Sequence, residues 1–295
     1  MTQSDIDPNQ AIYRFMNFFD AYNLVAHYTL RFTKLFELKD LNEGVGKVLR
    51  HIELSPVFPY PRDLQKLKSQ HDIIRQTIYT TCWSKAPDDI AMWAIYSPDD
   101  SGMRIKTTVA KLAAVIEKYK NEYTTHANKI EGFRPSQVDV FEMDYKDLRE
   151  AKKEIEKNVN ATLAAMRESI IGKTKLESCR AWHKIMRERM GNLVLEEDTG
   201  KYKDIAYTHE NEIRAQIEFE ASDEDTHDYL HSQECDFREF PQALHVSVDE
   251  DFIEEICIDP RCIGYKKTVF KEIIDLNGKW AWVESEAFGK VLEST

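Results

Sequence analysis

The residues best suited to chemistry lie between Tyr207 and Phe219, in the stretch YTHENEIRAQIEF. From Glu212 onward polar and apolar residues alternate strictly. Ile213, Ala215, Ile217 and Phe219 fall on one parity, and Glu212, Arg214, Gln216 and Glu218 on the other, which is the pattern of a half-buried β-strand. A carboxylate and a guanidinium therefore share one face of a strand. That face lies either in water, where such a pair is worth little, or in a cleft, where it can bind and polarise a substrate. Glu210 precedes the alternation and is expected on the segment leading into the strand.

Other chemistries find less support. Asn42-Glu43-Gly44-Val45-Gly46-Lys47-Val48 resembles a phosphate loop, but a Walker motif needs glycine where Leu41 stands and Ser or Thr where Val48 stands. His227, His231 and Cys235 recur every four residues, yet Asp228 stands where a zinc protease carries glutamate, and the stretch reads as an acidic loop. Cys257 and Cys262 lack the second close pair of a zinc site, so no metal is expected. No G-x-S-x-G elbow occurs, which leaves the common serine hydrolases unsupported.

Composition sets the frame around these residues. A chain of 295 residues that is 42% hydrophobic can bury a sizeable core without a disulfide or metal staple. Its net charge of −12 repels a phosphate backbone over most of the surface. The local exception is Lys173 to Arg189, where Arg180, Lys184, Arg187 and Arg189 surround Trp182, a pattern that also fits a solvated helix face. Five scattered cysteines fit reduced thiols in the cytoplasm. The start, MTQSDIDPNQ, has neither the basic run nor the apolar run of a secretory signal, and no window approaches a membrane span, so a cytoplasmic protein with no membrane role is expected.

The elements that must position the site follow from periodicity and punctuation. Ile12 to Phe19 and Ala21 to Phe36 read as a strand, an apolar helix and a second strand, and Asp40, Asn42 and Gly44 then break the pattern. Ser55 to Leu64 reads as a proline-bearing loop or lid, and Gln76 to Trp83 as a buried strand. Asp88 or Asp89 caps a short helix with Trp93 and Tyr96 on one face, which Pro98 ends. Strands follow at Met103 to Thr107 and Val138 to Met143, with a helix capped by Thr107 or Thr108 between them.

Two amphipathic helices, Leu148 to Ile171 and Leu176 to Met190, then form a hairpin about Gly172. The first carries the stripe Leu148, Ala151, Ile155, Val159, Leu163, Met166 and Ile170. The stripe predicts either a cap on a sheet or a dimer surface. Ala221 to Glu239 reads as a mobile acidic loop, Leu244 to Val248 and Ile253 to Ile258 as the last strands, and Val269 to Leu276 as a helix. The expected architecture is one α+β domain over 1–295, with a mixed, largely antiparallel sheet and the hairpin inserted at 146–191.

Several of these segments together match a pattern. IYRFMN, LFELKDLNEG, TTCWSKAPDDIAMWAIYSPDDSGMRIKTT and YTHENEIRAQ resemble the bacterial family labelled domain of unknown function 2971. That family runs from a tyrosine-arginine pair through an aspartate and a Glu-Gly to a Trp-x-x-Tyr helix, a Gly-x-x-Ile strand and a Glu-x-Glu-x-Arg strand. The corresponding positions here are Tyr13 and Arg14, Asp40 with Glu43 and Gly44, Trp93 and Tyr96, Gly102 and Ile105, and Glu210, Glu212 and Arg214.

The motif order is similar to that of ADP-ribosyltransferases, and this resemblance implies NAD as the substrate. When nicotinamide leaves, the ribose becomes cation-like, and a fixed carboxylate stabilises that charge while holding a ribose hydroxyl. Glu212 would fill that role and Arg14 would hold the diphosphate. Trp93 or Tyr96 would stack on nicotinamide, and Arg214 would anchor substrate or keep Glu212 ionised. Glu210 and Glu43 would belong to the binding surface. Proteins of this kind act as toxins or antiviral effectors that modify a protein or a nucleic acid. The competing expectation is a non-enzymatic module that docks a protein partner through the hairpin; a nuclease is the third, and weaker because the acidic residues lack metal-binding spacing.

Overall fold

The structure is a computed structural model that describes residues 6–40, 42–55, 64–125, 129–190, 193–194, 201–224, 240–275 and 280–287. The spaced trio His227, His231 and Cys235, most of the Ser55 to Leu64 loop or lid and most of the acidic loop lie outside these residues. The chain divides into two compact units, one of residues 1–38, 76–143 and 208–295, the other of 39–75 and 144–207. The hairpin expected as an insertion in a single domain thus shares its unit with residues 39–75.

The first unit is built on a mixed, mostly antiparallel sheet that has nine strands among the described residues. They are β1 (Ala11–Met16), β2 (Thr29–Lys34), β3 (Ile78–Ser84), β4 (Met103–Thr108), β5 (Phe133–Glu142), β8 (Glu212–Ala221), β9 (Ala243–Ser247), β10 (Glu255–Ile258) and β11 (Ala281–Val283). β10 and β11 run parallel, and the other ladders of this sheet are antiparallel. The architecture is α+β, as the sequence predicts.

One strand departs from a simple ladder. β8 covers one edge of β3 from Ile78 to Ser84. The opposite edge is shared by two strands, with β1 meeting it at Ser84 and β2 meeting it at Thr80 and Tyr79. β1 and β2 therefore diverge along β3, and the sheet opens between them.

Local chemistry starts the helices of this unit. Asn17 accepts from the Asp20 amide at the start of α1 (Phe18–His27), and Asp89 accepts from the Ala91 and Met92 amides at the start of α4 (Ile90–Tyr96). Thr108 caps α5 (Val109–Glu122), and α8 (Gly264–Asp275) begins five residues before the predicted helix. Asp88, the other capping candidate, has a different task. It accepts the Trp93 indole N–H at 2.8 Å and the Ser285 hydroxyl at 2.8 Å, tying α4 to the segment after β11.

The second unit contains two helices the sequence reading missed, α2 (Val45–Leu54) and α3 (Leu64–Thr77). α3 also takes the first two residues assigned to the buried strand, so β3 begins at Ile78. The predicted hairpin is present as α6 (Leu148–Ile170) and α7 (Lys175–Met190). Its stripe is covered by α2: Leu49, Leu148, Ile155, Val159 and Tyr202 form one buried cluster, with Ile52 and Leu163 packed against it. Tyr202 belongs to β7 (Tyr202–Asp204), which pairs in parallel with β6 (Asp144–Lys146). A capping box starts α7, where Thr174 accepts from the Glu177 amide while the Glu177 carboxylate accepts from the Thr174 amide at 2.9 Å.

Candidate functional site

The divergence of β1 and β2 makes a cleft of about 530 Å³ in the first unit. Tyr13 to Asn17 of β1 and its following turn line one side, Thr80 to Trp83 of β3 the floor, and Met92, Ile95 and Tyr96 of α4 another wall, with Glu210 and Glu212 at the start of β8. A tight junction positions the α4 wall. Gly102 donates its amide to the Ser97 hydroxyl at 2.8 Å, and a β-carbon at position 102 would lie 2.7 Å from the Met16 carbonyl oxygen and 2.6 Å from Ser97 Cβ. Glycine is required there because two backbones meet, which gives the Gly-x-x-Ile motif a physical reason. Arg261 clamps the end of the same helix, donating to the Trp93 and Ser97 carbonyls at 3.1 and 2.8 Å while paired with Asp259.

Arg14 bridges the gap between the diverging strands, donating from Nη1 to the Arg31 carbonyl on β2 at 3.2 Å. Desolvation pushes its pKa below the ordinary arginine value, opposed by the nearby Cys82, Asp20 and Tyr96. It stays cationic, since arginine has a very high pKa to begin with. Asp20 in turn pairs with Arg31 at 3.5 Å.

The polar parity of β8 lies in neither open water nor a simple solvated face. Glu212 and Arg214 are each 1% exposed and Gln216 is buried. Arg214 grips Glu212 bidentately, Nε to Oε1 at 2.6 Å and Nη2 to Oε2 at 3.2 Å. The carboxylate lines the cleft, whereas Arg214 is not among the lining residues. Arg214 thus supports Glu212 instead of meeting a ligand in its own right. Asn211, at φ 44°, turns the chain from a 3-10 turn (Ile205–Glu210) into β8. Asparagine tolerates that left-handed conformation, and the turn sets Glu210 buried beside the cleft.

Two of the residues assigned to substrate fall elsewhere. Trp93 is 0% exposed and does not line the cleft. It packs edge-on against Phe15 at 4.9 Å in a cluster with Met92 and Cys257, so Trp93 is a core aromatic and Tyr96 is the member of the Trp-x-x-Tyr pair that reaches the cleft. Glu43 belongs to the second unit, where it is 4% exposed and paired with Lys203 at 3.6 Å. Burial of a paired charge accounts for both Glu43 and Lys203 as structural residues.

Arg14, Tyr96, Glu210 and Glu212 are therefore brought to one cavity. Thr80, Thr81, Cys82 and Trp83 join them, and the sequence reading did not single these out for a site. They lie at or beside the stretch of the β3 edge between its pairing with β2 at Thr80 and with β1 at Ser84, and that stretch is set by pairings distant in the chain. Among the described residues, no group of His, Cys, Asp and Glu is arranged to hold a metal ion. Among them also, no helix is long and apolar enough to cross a membrane.

These features define an α+β protein with a cleft of about 530 Å³ in a split sheet. Residues 92–215 match the model of the family described as Protein of unknown function (DUF2971), so this stretch belongs with the family that its motifs resemble. The match contains Tyr96, Gly102, Glu210, Glu212 and Arg214, while Arg14 and Glu43 lie outside it. No curated protein and no solved structure matches the chain.

Proposed function

We propose that the cleft binds NAD and transfers its ADP-ribosyl group, with Glu212 as the catalytic carboxylate. The observation that carries this reading is that Arg14 and Glu212, 198 residues apart in the chain, line one cavity. In this reading the bond between ribose C1′ and the nicotinamide nitrogen breaks, and nicotinamide leaves with the bonding electrons. Water or a nucleophile of a protein or nucleic-acid target forms the new bond to C1′ and releases a proton. Glu212 faces the positive charge that grows on the ribose, in a water-poor setting where a fixed carboxylate acts strongly. Arg214 fixes the orientation of that carboxylate, Arg14 meets the diphosphate, and Tyr96 offers its ring to the nicotinamide.

The test follows nicotinamide release from NAD by the full chain and by Glu212→Gln, with the folded fraction of each checked by urea unfolding. Release by wild type that falls at least a hundredfold in the folded variant, roughly the loss from removing one transition-state stabilising group, supports the reading. Wild type no faster than the variant overturns it.

The surface of α7 favours a second reading, a protein-interaction module. Ile171, Leu176 and Trp182 are exposed on or beside a helix that also carries Arg180, Lys184 and Arg187. Deleting the hairpin would remove Ile155 and Val159 from the core of the second unit, so the cleaner perturbation is Leu176→Ser with Trp182→Ser. A protein captured by the wild-type chain and captured equally by this double variant removes the second reading.

A further inference from the structure

The floor of the cleft holds two buried donors with nothing to donate to. The Thr81 hydroxyl and the Trp83 indole N–H have no hydrogen-bond partner among the described residues, although these residues are only 1% and 2% exposed. Both belong to the part of β3 that lies between its contacts with β1 and β2, and both line the cleft. A buried donor left unsatisfied costs about 1–3 kcal/mol, and native structures contain few of them without a reason. An indole N–H can only donate, so the missing partner is an acceptor.

A third donor lies at the same gap. Tyr13 pairs across to Ser84, and Ser84 to Glu212, so strand alternation puts Arg14, Trp83 and Thr81 together on the face opposite Glu212, and both sets line the cavity at the gap. The Arg14 guanidinium makes one hydrogen bond among the described residues, to the Arg31 carbonyl. A cation, an indole N–H and a hydroxyl together suit a group rich in anionic oxygens. Of the acids that line the cleft, Asp20 has its charge met by Arg31.

We infer that Thr81 and Trp83 complete, with Arg14, a subsite for a diphosphate group in the gap between β1 and β2. The inference rests on the cleft being the nucleotide site and adds the residues that select the diphosphate. Thr81 and Trp83 are binding residues here and take no part in bond breaking.

The full chain, labelled with ¹⁵N at tryptophan, tests this by the indole N–H resonance of Trp83, assigned by its loss in Trp83→Phe. Titration with inorganic pyrophosphate, with ADP-ribose and with ribose separates the diphosphate from the rest of the nucleotide. The expected result is a saturable shift of that resonance with pyrophosphate and ADP-ribose and none with ribose. Thr81→Val, which keeps the side chain's shape, weakens pyrophosphate binding about tenfold, the usual effect of losing one hydrogen bond. Arg14→Gln weakens it more. Should Trp83→Phe fail to fold, Thr81→Val carries the affinity test by calorimetry. Pyrophosphate that leaves the resonance unmoved, or that binds Thr81→Val as tightly as wild type, overturns the subsite even if NAD is cleaved. Pyrophosphate binding with the expected shift but no Glu212-dependent cleavage of NAD keeps the subsite and removes the transferase reading.

Discussion

Glu212 and Arg214 should behave as one energetic unit, and a double-mutant cycle measures it. Both side chains are 1% exposed and joined by two hydrogen bonds of 2.6 and 3.2 Å. Arg214→Met removes the cation that grips a buried carboxylate, and breaking such a pair costs about 3–5 kcal/mol. That is a large part of the roughly 5–15 kcal/mol that holds an ordinary domain together. Glu212→Gln keeps an acceptor of the same shape but gives up its charge, which costs about 1.5–3 kcal/mol, the worth of a hydrogen bond to a charged group. The double variant removes both charges and should be less destabilised than the sum of the singles by about 2 kcal/mol or more.

The assay is urea unfolding followed by tryptophan fluorescence, since Trp83 and Trp93 are both buried in the unit that contains the pair. Singles that add to the double within about 0.5 kcal/mol would show that the pair is not a desolvated unit, and the burial argument would fall. The cycle also bears on catalysis. Part of any activity lost in Glu212→Gln comes from an Arg214 left facing a neutral partner, so activity is to be compared at equal folded fraction.

Three further outcomes follow from the same structure. Gly102→Ala should destabilise the first unit by about 1–3 kcal/mol, the range for overpacking, because its methyl group would lie 2.7 Å from the Met16 carbonyl oxygen; a thermal midpoint equal to wild type contradicts this. Ile155→Ala should cost about 2–5 kcal/mol, since Ile155 is 0% exposed in the cluster joining α6 to α2, and a loss under about 1 kcal/mol in denaturant melts would refute that packing. Stability should also fall in alkali. Burial pushes the Cys257 thiol from about 9 up to about 11 and raises Tyr79, Tyr119 and Tyr123. Above pH 9 the unfolded chain loses protons that the native one keeps, so the folded state is disfavoured as pH rises, by roughly 2–3 kcal/mol from Cys257 alone near pH 11. Urea midpoints that hold constant from pH 8 to 10.5 would contradict this sign.

The parts of this structure that were legible in the sequence are those fixed by neighbours in the chain. The stripe from Leu148 to Met166 marks α6 because a helix repeats every 3.6 residues, and the alternation from Glu212 marks β8 because a strand repeats every two. α2 was hidden by Gly44 and Gly46, which read as a loop. Gly44 does stand at φ 79° just before the helix, and Gly46 is small because the Tyr202 ring lies 3.2 Å from where its β-carbon would be. The reading of Trp93 failed for a related cause, since spacing places it on one helix face with Tyr96 but does not say which of them meets Phe15.

The cleft itself could not be read at all from periodicity. It exists because β1 and β2, adjacent in the chain, take different parts of a single edge of β3, and because β8 fills the other edge from a position more than a hundred residues later. The polar parity of β8, a central strand between β3 and β5, is buried, and this burial makes an ion pair necessary where the sequence shows only alternating charge. At the same gap stand the Thr81 hydroxyl and the Trp83 indole N–H, which have no hydrogen-bond partner among the described residues. Closing the gap with a full β1–β3 or β2–β3 ladder would remove the cavity to which Arg14, Glu212 and the two unspent donors contribute, so an interrupted ladder is the structural condition on which any ligand at this site depends.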